Sequence, residues 1–285
     1  MKKNAFNQVI PKIKELFGDS KVSSSIEKTL ISVLKYLEIN NPEQIVKDVL
    51  TEARNYKRLE DYETKINSLM DKKRVLNGIP IKLGDRAKVM FNQVKEYVRG
   101  HQVLDLGCGD GKVGEKISKQ GRQVILADVY KNGNISNLDL PFVKISKRGI
   151  LPFDSNIFDT VLLLTVLHHS DNPKFVIDEA VRVAKKGGKI IVIESVYGVF
   201  GKERGLNNEQ QRMFNIFFDH FYNRVIHYSS HKENKVNVPF NFQTPKKWKE
   251  FFENNGLKQE KVEMLGFDQP VVPEYHTLHV LAVKK

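Results

Sequence analysis

Apolar residues recur at two different periods along the chain, and the period changes near residue 102. Phe6, Val9, Ile10, Ile13 and Phe17 return at three- and four-residue spacing, one stripe of a helix. A second helix is predicted from Ser23-Ser24-Ser25, whose hydroxyls suit an N-cap with Glu27 close behind; it carries Ile26, Leu30, Val33, Leu34 and Leu37. Asn40-Asn41-Pro42 ends it and opens a third, with Ile45, Val46 and Leu50. The charged stretch Thr51 to Arg74 reads as helical, Gly78-Ile79-Pro80 as a break, and Asp85 to Val98 as a last helix with Val89, Met90, Val94 and Val98 inward. An all-helical N-terminal extension over residues 1–80 is the expectation.

From residue 102 short apolar runs alternate with helical patterns, the signature of βαβ units on a parallel sheet. Strands are expected at Gln102 to Leu106, Gln123 to Asp128, Phe142 to Ile145, Thr160 to Leu167 and Lys189 to Glu194. Helices are expected at Lys112 to Lys119 and Pro173 to Ala184, with Gly187-Gly188 as the turn before the last of these strands. The texture then changes: Asn207 to Tyr228 is an aromatic helical stretch, and Thr244-Pro245 opens another helix stopped at Asn254-Asn255-Gly256. Strands at Leu257 to Leu265 and His276 to Val283 close the chain. The second domain is therefore residues 81–285, with an aromatic helical insertion at about 197–245.

Composition narrows the class. In 285 residues, 40% are hydrophobic, enough for a sizeable core at this length. Cys108 is the single cysteine, so neither an internal disulfide nor a cysteine-rich zinc site is available. The longest apolar run, Val161 to Leu167, is far short of the ~20 residues of a membrane span, and no secretory leader pattern opens the sequence. A cytoplasmic protein is the expectation. The net charge of +12 sits mostly in residues 1–100, which hold 20 basic and 13 acidic side chains. Because the two signs are interleaved, solvated helix faces are favoured over a nucleic-acid surface.

One segment carries chemistry. Val103-Leu104-Asp105-Leu106-Gly107-Cys108-Gly109-Asp110-Gly111 lies where the first strand turns into a helix. Glycines there let a backbone approach a ligand, and the helix start offers free N–H groups. Asp128 ends the second strand, where a carboxylate can bind both hydroxyls of a ribose. Gly109 to Gly114 formally matches the dinucleotide fingerprint G-x-G-x-x-G. Asp110 within that turn would repel a pyrophosphate, however. An acidic glycine turn suits a nucleoside cofactor with an amino group and no phosphates, as in S-adenosylmethionine (SAM).

These motifs, with Leu151-Pro152-Phe153 before Phe158-Asp159-Thr160-Val161, Val166-Leu167-His168-His169, and Ala180-Val181-Arg182-Val183 before Gly187-Gly188, resemble class I SAM-dependent methyltransferases of the type 11 group over residues 85–195. The resemblance implies an α/β Rossmann-like fold: a seven-stranded, mostly parallel sheet, last strand antiparallel, helices on both faces. It implies that Gly107, Cys108 and Gly109 line the methionine part of SAM and Asp105 orients its amino group. It places Asp128 on the ribose, Val129 against the adenine, and Leu167 and His168 in the pocket wall. Lys147 stands where the group commonly has an acid for the adenine amino group, so either Ser146 or backbone atoms serve or cofactor affinity is weakened.

Methyl transfer to a hydroxyl or ammonium group needs a base. His169 is the first choice and His168 the second, against the alternative that His168 only packs and His169 caps a helix. His220, His227, His231, Tyr275 and His276 are further candidates at the substrate mouth. Adjacent His168 and His169 lack metal-ligand spacing, and no metal is expected. Phe214, Phe217, Phe218, Phe221 and Tyr222 form either a lid over an apolar acceptor or a satellite core. The expected acceptor is a small or lipid-like molecule. The alternatives are RNA or DNA methylation, weakened by the absence of an N/D-P-P-Y loop after the fourth strand, and a non-enzymatic SAM-binding protein.

Overall fold

A computed structural model describes residues 2–83, 85–146, 150–200, 205–229 and 235–284. In chain order the elements are α1 (Ser20–Tyr36), α2 (Pro42–Asn55), α3 (Leu59–Lys72), α4 (Val75–Leu83), α5 (Arg86–Val94), β1 (Gln102–Leu106), α6 (Lys112–Ser118), β2 (Gln123–Asp128), β3 (Phe142–Lys144), β4 (Phe158–Leu164), α7 (Pro173–Val183), β5 (Ala184–Val196), α8 (Asn208–His220), α9 (Pro245–Asn254), β6 (Leu257–Gln269) and β7 (Val272–Val283). They fall into two compact units. Met1–Gly84, Val196–Thr244 and Gly266–Tyr275 form a helical unit; Asp85–Ser195, Pro245–Leu265 and His276–Lys285 form a sheet unit.

The helical unit shares one core between distant segments. Leu16, Ile26, Leu30, Val46, Ile66 and Met70 are buried in the same cluster as Phe214, Phe217, Phe218 and Phe221. The apolar stripe Phe6 to Phe17 does not make an α-helix. Pro11 lacks an N–H and turns Ile10 away from helical backbone. Instead Lys3 and Val9 form an antiparallel bridge around a turn closed by Asn4, whose Oδ1 accepts the Phe6 and Gln8 amides at 3.1 and 3.0 Å. A 3₁₀ turn, Ile13–Gly18, follows. The start of α1 lies before the serine run, because Asp19 caps it by accepting the Lys21 and Val22 amides. The break expected at Gly78 is instead the middle of α4. Val75 and Ile79 are buried there, with Leu37 3.5 Å from the Cβ position of Gly78, and that burial outweighs the helix penalty of ~1 kcal/mol for glycine.

The sheet has the order β3-β2-β1-β4-β5-β7-β6. The pairs β1–β2, β1–β4, β2–β3 and β4–β5 are parallel, and the last strand is the antiparallel one. β1 is flanked by β2 and β4, so the chain reverses its winding direction beside β1, the place where open α/β sheets bind ligands. Two motifs read in the sequence serve this topology. Asp159 Oδ2 accepts the His101 and Gln102 amides, fixing the entry to β1, and a Cβ on Gly100 would fall 2.1 Å from the Asp159 Cβ. Glu179 and Arg182 of α7 grip the Leu151 to Phe153 loop, Glu179 through the Leu151 amide at 2.7 Å and Arg182 through the Leu151 and Phe153 carbonyls. Asp85 caps α5 through the Lys88 amide; Met90, Val94 and Val98 are buried as expected, whereas Val89 is 38% exposed.

Candidate active site

The carboxyl ends of β1, β2 and β4 lie side by side on one edge of the sheet. Gly107, Gly109 and Gly111 follow β1 with φ of 77°, 55° and 75°, the left-handed region that glycine alone enters cheaply. The turn is tied to β2: the Gly107 and Cys108 amides donate to the Ala127 carbonyl at 2.7 and 3.2 Å. Asp128 accepts the Gly109 amide at 2.9 Å on Oδ2 and the Tyr130 amide at 3.2 Å on Oδ1. Its carboxylate is half-buried, and burial raises its pKa. Gly107 is also required by packing: a Cβ there would meet Val166 Cγ2 at 2.5 Å, in the turn that follows β4. At Gly109 a Cβ would meet nothing.

Asp105 is buried inside β1, and its Oδ2 has no hydrogen-bond partner. Burial, with Asp128 and Asp110 nearby, pushes the carboxyl up to about 7, against the pull of the Gly114 amide. Gly114 keeps the space open, since its Cβ would fall 2.5 Å from Leu126 and 2.9 Å from Asp105 Oδ2. Asp110 is balanced by Lys112, whose ammonium lies 3.1 Å away. Cys108 is half-buried, and burial beside Asp105 raises its pKa, so the thiol is a lining group without nucleophilic character. Val129 is exposed at the end of β2 and Ser146 is exposed after β3; Lys147 lies outside the described residues.

β4 stops at Leu164, three residues before the sequence predicts. Thr165 adopts φ 59°, a strained conformation for a β-branched residue, and Leu167–His169 form a 3₁₀ turn. Glu194 holds this turn. It is fully buried on β5, its Oε1 accepts the Val166 and Leu167 amides at 3.0 and 2.6 Å, and its Oε2 meets His168 Nδ1 at 2.5 Å. Leu167 and His168 are buried, while His169 is half-buried with its ring 4.0 Å from that of His168. Sequence reasoning missed Glu194; the available signal was an acid ending an otherwise apolar strand parallel to the one carrying the histidines. The remaining candidates are dispersed. His276 meets Ser195 Oγ at 3.0 Å. His220 is buried against Glu63 at 3.1 Å in the helical unit, and Tyr275 stacks with Phe200. His227 is exposed, and His231 lies outside the described residues.

This fold and this glycine-and-acid turn define a class I methyltransferase domain. Residues 104–192 match the family described as Methyltransferase domain, and the chain carries a class I SAM-dependent methyltransferase domain there. A demethylmenaquinone methyltransferase of Renibacterium salmoninarum is 33% identical over 116 residues, 39% of this chain and 48% of that protein. A mitochondrial ubiquinone biosynthesis O-methyltransferase of Dictyostelium discoideum is 30% identical over 123 residues, 37% of this chain and 38% of that protein. The chain thus spans half the length of these relatives or less. A SAM-dependent methyltransferase structure from Thermotoga maritima covers 74% of this chain and 97% of its own, with 16% identity and a TM-score of 0.51, which speaks to the fold.

Proposed function

We propose that the protein is a SAM-dependent methyltransferase acting on the hydroxyl of a small ring acceptor of the quinone type, with His168 as the base. The observation that carries the reading is the buried His168–Glu194 pair at the end of β4, on the sheet edge that also holds the glycine turn. A carboxylate on Nδ1 assigns the ring proton to that nitrogen and puts the lone pair on Nε2. Glu194 is itself fixed by two backbone amides, so the ring is held in one orientation. This favours His168 over His169. The acceptor class draws support from the quinone-pathway names of the two relatives.

The residues fit SAM. Asp105 offers an unpartnered oxygen to its amino group, the open side of Gly109 leaves room for its methionine part, and Asp128 sits where a ribose would. When bound, SAM supplies a methyl group on a positively charged sulfur. His168 Nε2 would take the proton of the acceptor hydroxyl, and Glu194 on Nδ1 would stabilise the resulting imidazolium. Turnover of SAM with catechol, followed by mass spectrometry, tests this. His168→Asn should lower kcat by about 10²- to 10⁴-fold, a far larger loss than any change in S-adenosylhomocysteine (SAH) affinity. An unchanged kcat removes His168 as the base. Methylation of transfer RNA but of no hydroxyaryl compound would favour the nucleic-acid alternative.

A further inference from the structure

β6 closes one side of the sheet next to β7, and among the described residues no strand pairs with its outer side. Its residues 257–265 lie wholly in the sheet unit and contain no proline. Such an edge presents a row of backbone N–H and C=O groups to another strand. Side chains alternate between the two faces of the strand. Val262 and Met264 share one face and are 41% and 52% exposed, the apolar part of the edge. Lys261 and Glu263 share the other, where they form an ion pair. Tyr97 restrains both: its hydroxyl donates to Glu263 Oε1 at 2.6 Å, and the Lys261 ammonium stands 4.7 Å from its ring centre. Opposite charges two residues apart are thus held beside an open strand edge.

We propose that β6 pairs antiparallel with β6 of a second copy of the chain, about a two-fold axis through Val262. The axis of such a pair stands normal to the sheet. Opposed residues then lie on the same face, so the axis must pass through a residue. Centring on Glu260, Lys261 or Glu263 sets a charge against its own kind, which is destabilising. Centring on Val262 places Lys261 opposite Glu263 of the second copy and Glu263 opposite Lys261 of the second copy, with Val262 against itself. The four charges alternate in sign around the axis. A foreign strand could also bond the backbone, but this segment is its own charge complement, which favours a copy of itself. Two seven-stranded sheets become one, and the open edge is consumed. The axis turns the carboxyl edges of the two sheets in opposite directions, so each copy keeps its own cofactor site.

Analytical ultracentrifugation of the full chain tests it. Wild type should sediment at twice the chain mass. Lys261→Glu alone and Glu263→Lys alone each set like charges across the axis and should sediment as single chains. An equimolar mixture of the two should return to twice the chain mass, because every cross-strand charge pair is then opposite in sign. The double variant carrying both exchanges should dimerise by itself. The two side chains are 47% and 34% exposed, so the variants should keep the fold, which cooperative melting verifies. Should a single variant fail to melt cooperatively, Val262→Lys, which sets two ammonium groups on the axis, takes its place with the same expectation. Wild type that sediments as a single chain, single variants that stay dimeric, or a mixture that stays monomeric overturns the proposal.

Discussion

Between about pH 4 and about pH 7, Asp105 keeps on folding a proton that the unfolded chain releases. Its carboxyl ionises near 3.8 when solvated and near about 7 in place, chiefly because it is buried. An acid raised on folding subtracts stability as pH climbs from about 4 through about 7, and the loss then levels off. A ligand amino group beside Oδ2 favours the charged form, so SAH affinity should rise with pH over the upper part of that window. Asp105→Asn should flatten both trends; calorimetric titrations and urea melts across the range check it, and a wild-type affinity independent of pH would separate Asp105 from the ligand. At Gly107 the constraint is steric. Gly107→Ala should destabilise by more than about 1 kcal/mol, since alanine resists a φ of 77° and meets Val166. Adding Val166→Ala should return part of the loss, seen as non-additivity in the melts. The glycines and Asp128 were legible because the motif is local in sequence. Glu194 was not, because it acquires meaning only from the turn it holds after a strand distant in the chain.

β1 and β2 fall where the apolar runs place them, because a buried parallel strand needs a continuous run and both runs are bounded by turn residues. β4 was over-extended to Leu167. Thr165-Val166-Leu167 is as apolar as the strand before it, and only the grip of Glu194 on two amides bends the chain there. The helix expected over Phe6 to Phe17 failed against Pro11, a local rule that outranks periodicity. In α8 the aromatic face is core: Phe217 is fully buried, with Phe17 edge-on at 5.7 Å and Phe221 stacked at 6.0 Å. Phe217→Ala should cost about 3–5 kcal/mol of the helical unit's stability, measured by denaturant unfolding. A loss below about 1 kcal/mol would show that the face can collapse onto the cavity or is not packed as described.

At the scale of the molecule, the helical unit is assembled from three separate stretches of chain, and its first 84 residues share a core with α8. Deleting that segment would strip cover from Phe214, Phe217 and Phe218, so the truncated chain should aggregate rather than report on turnover; recovery of a soluble, cooperatively melting product would contradict the shared core. Recognition of SAM at the glycine turn and Asp128 is tested on the intact chain by titration calorimetry with SAH and with NAD, for wild type and Asp128→Ala. SAH should bind wild type, NAD should not, and Asp128→Ala should weaken SAH by about 1.5–3 kcal/mol, the range for hydrogen bonds to a charged group. NAD binding without SAH binding, or an Asp128→Ala chain with undiminished SAH affinity, would contradict it.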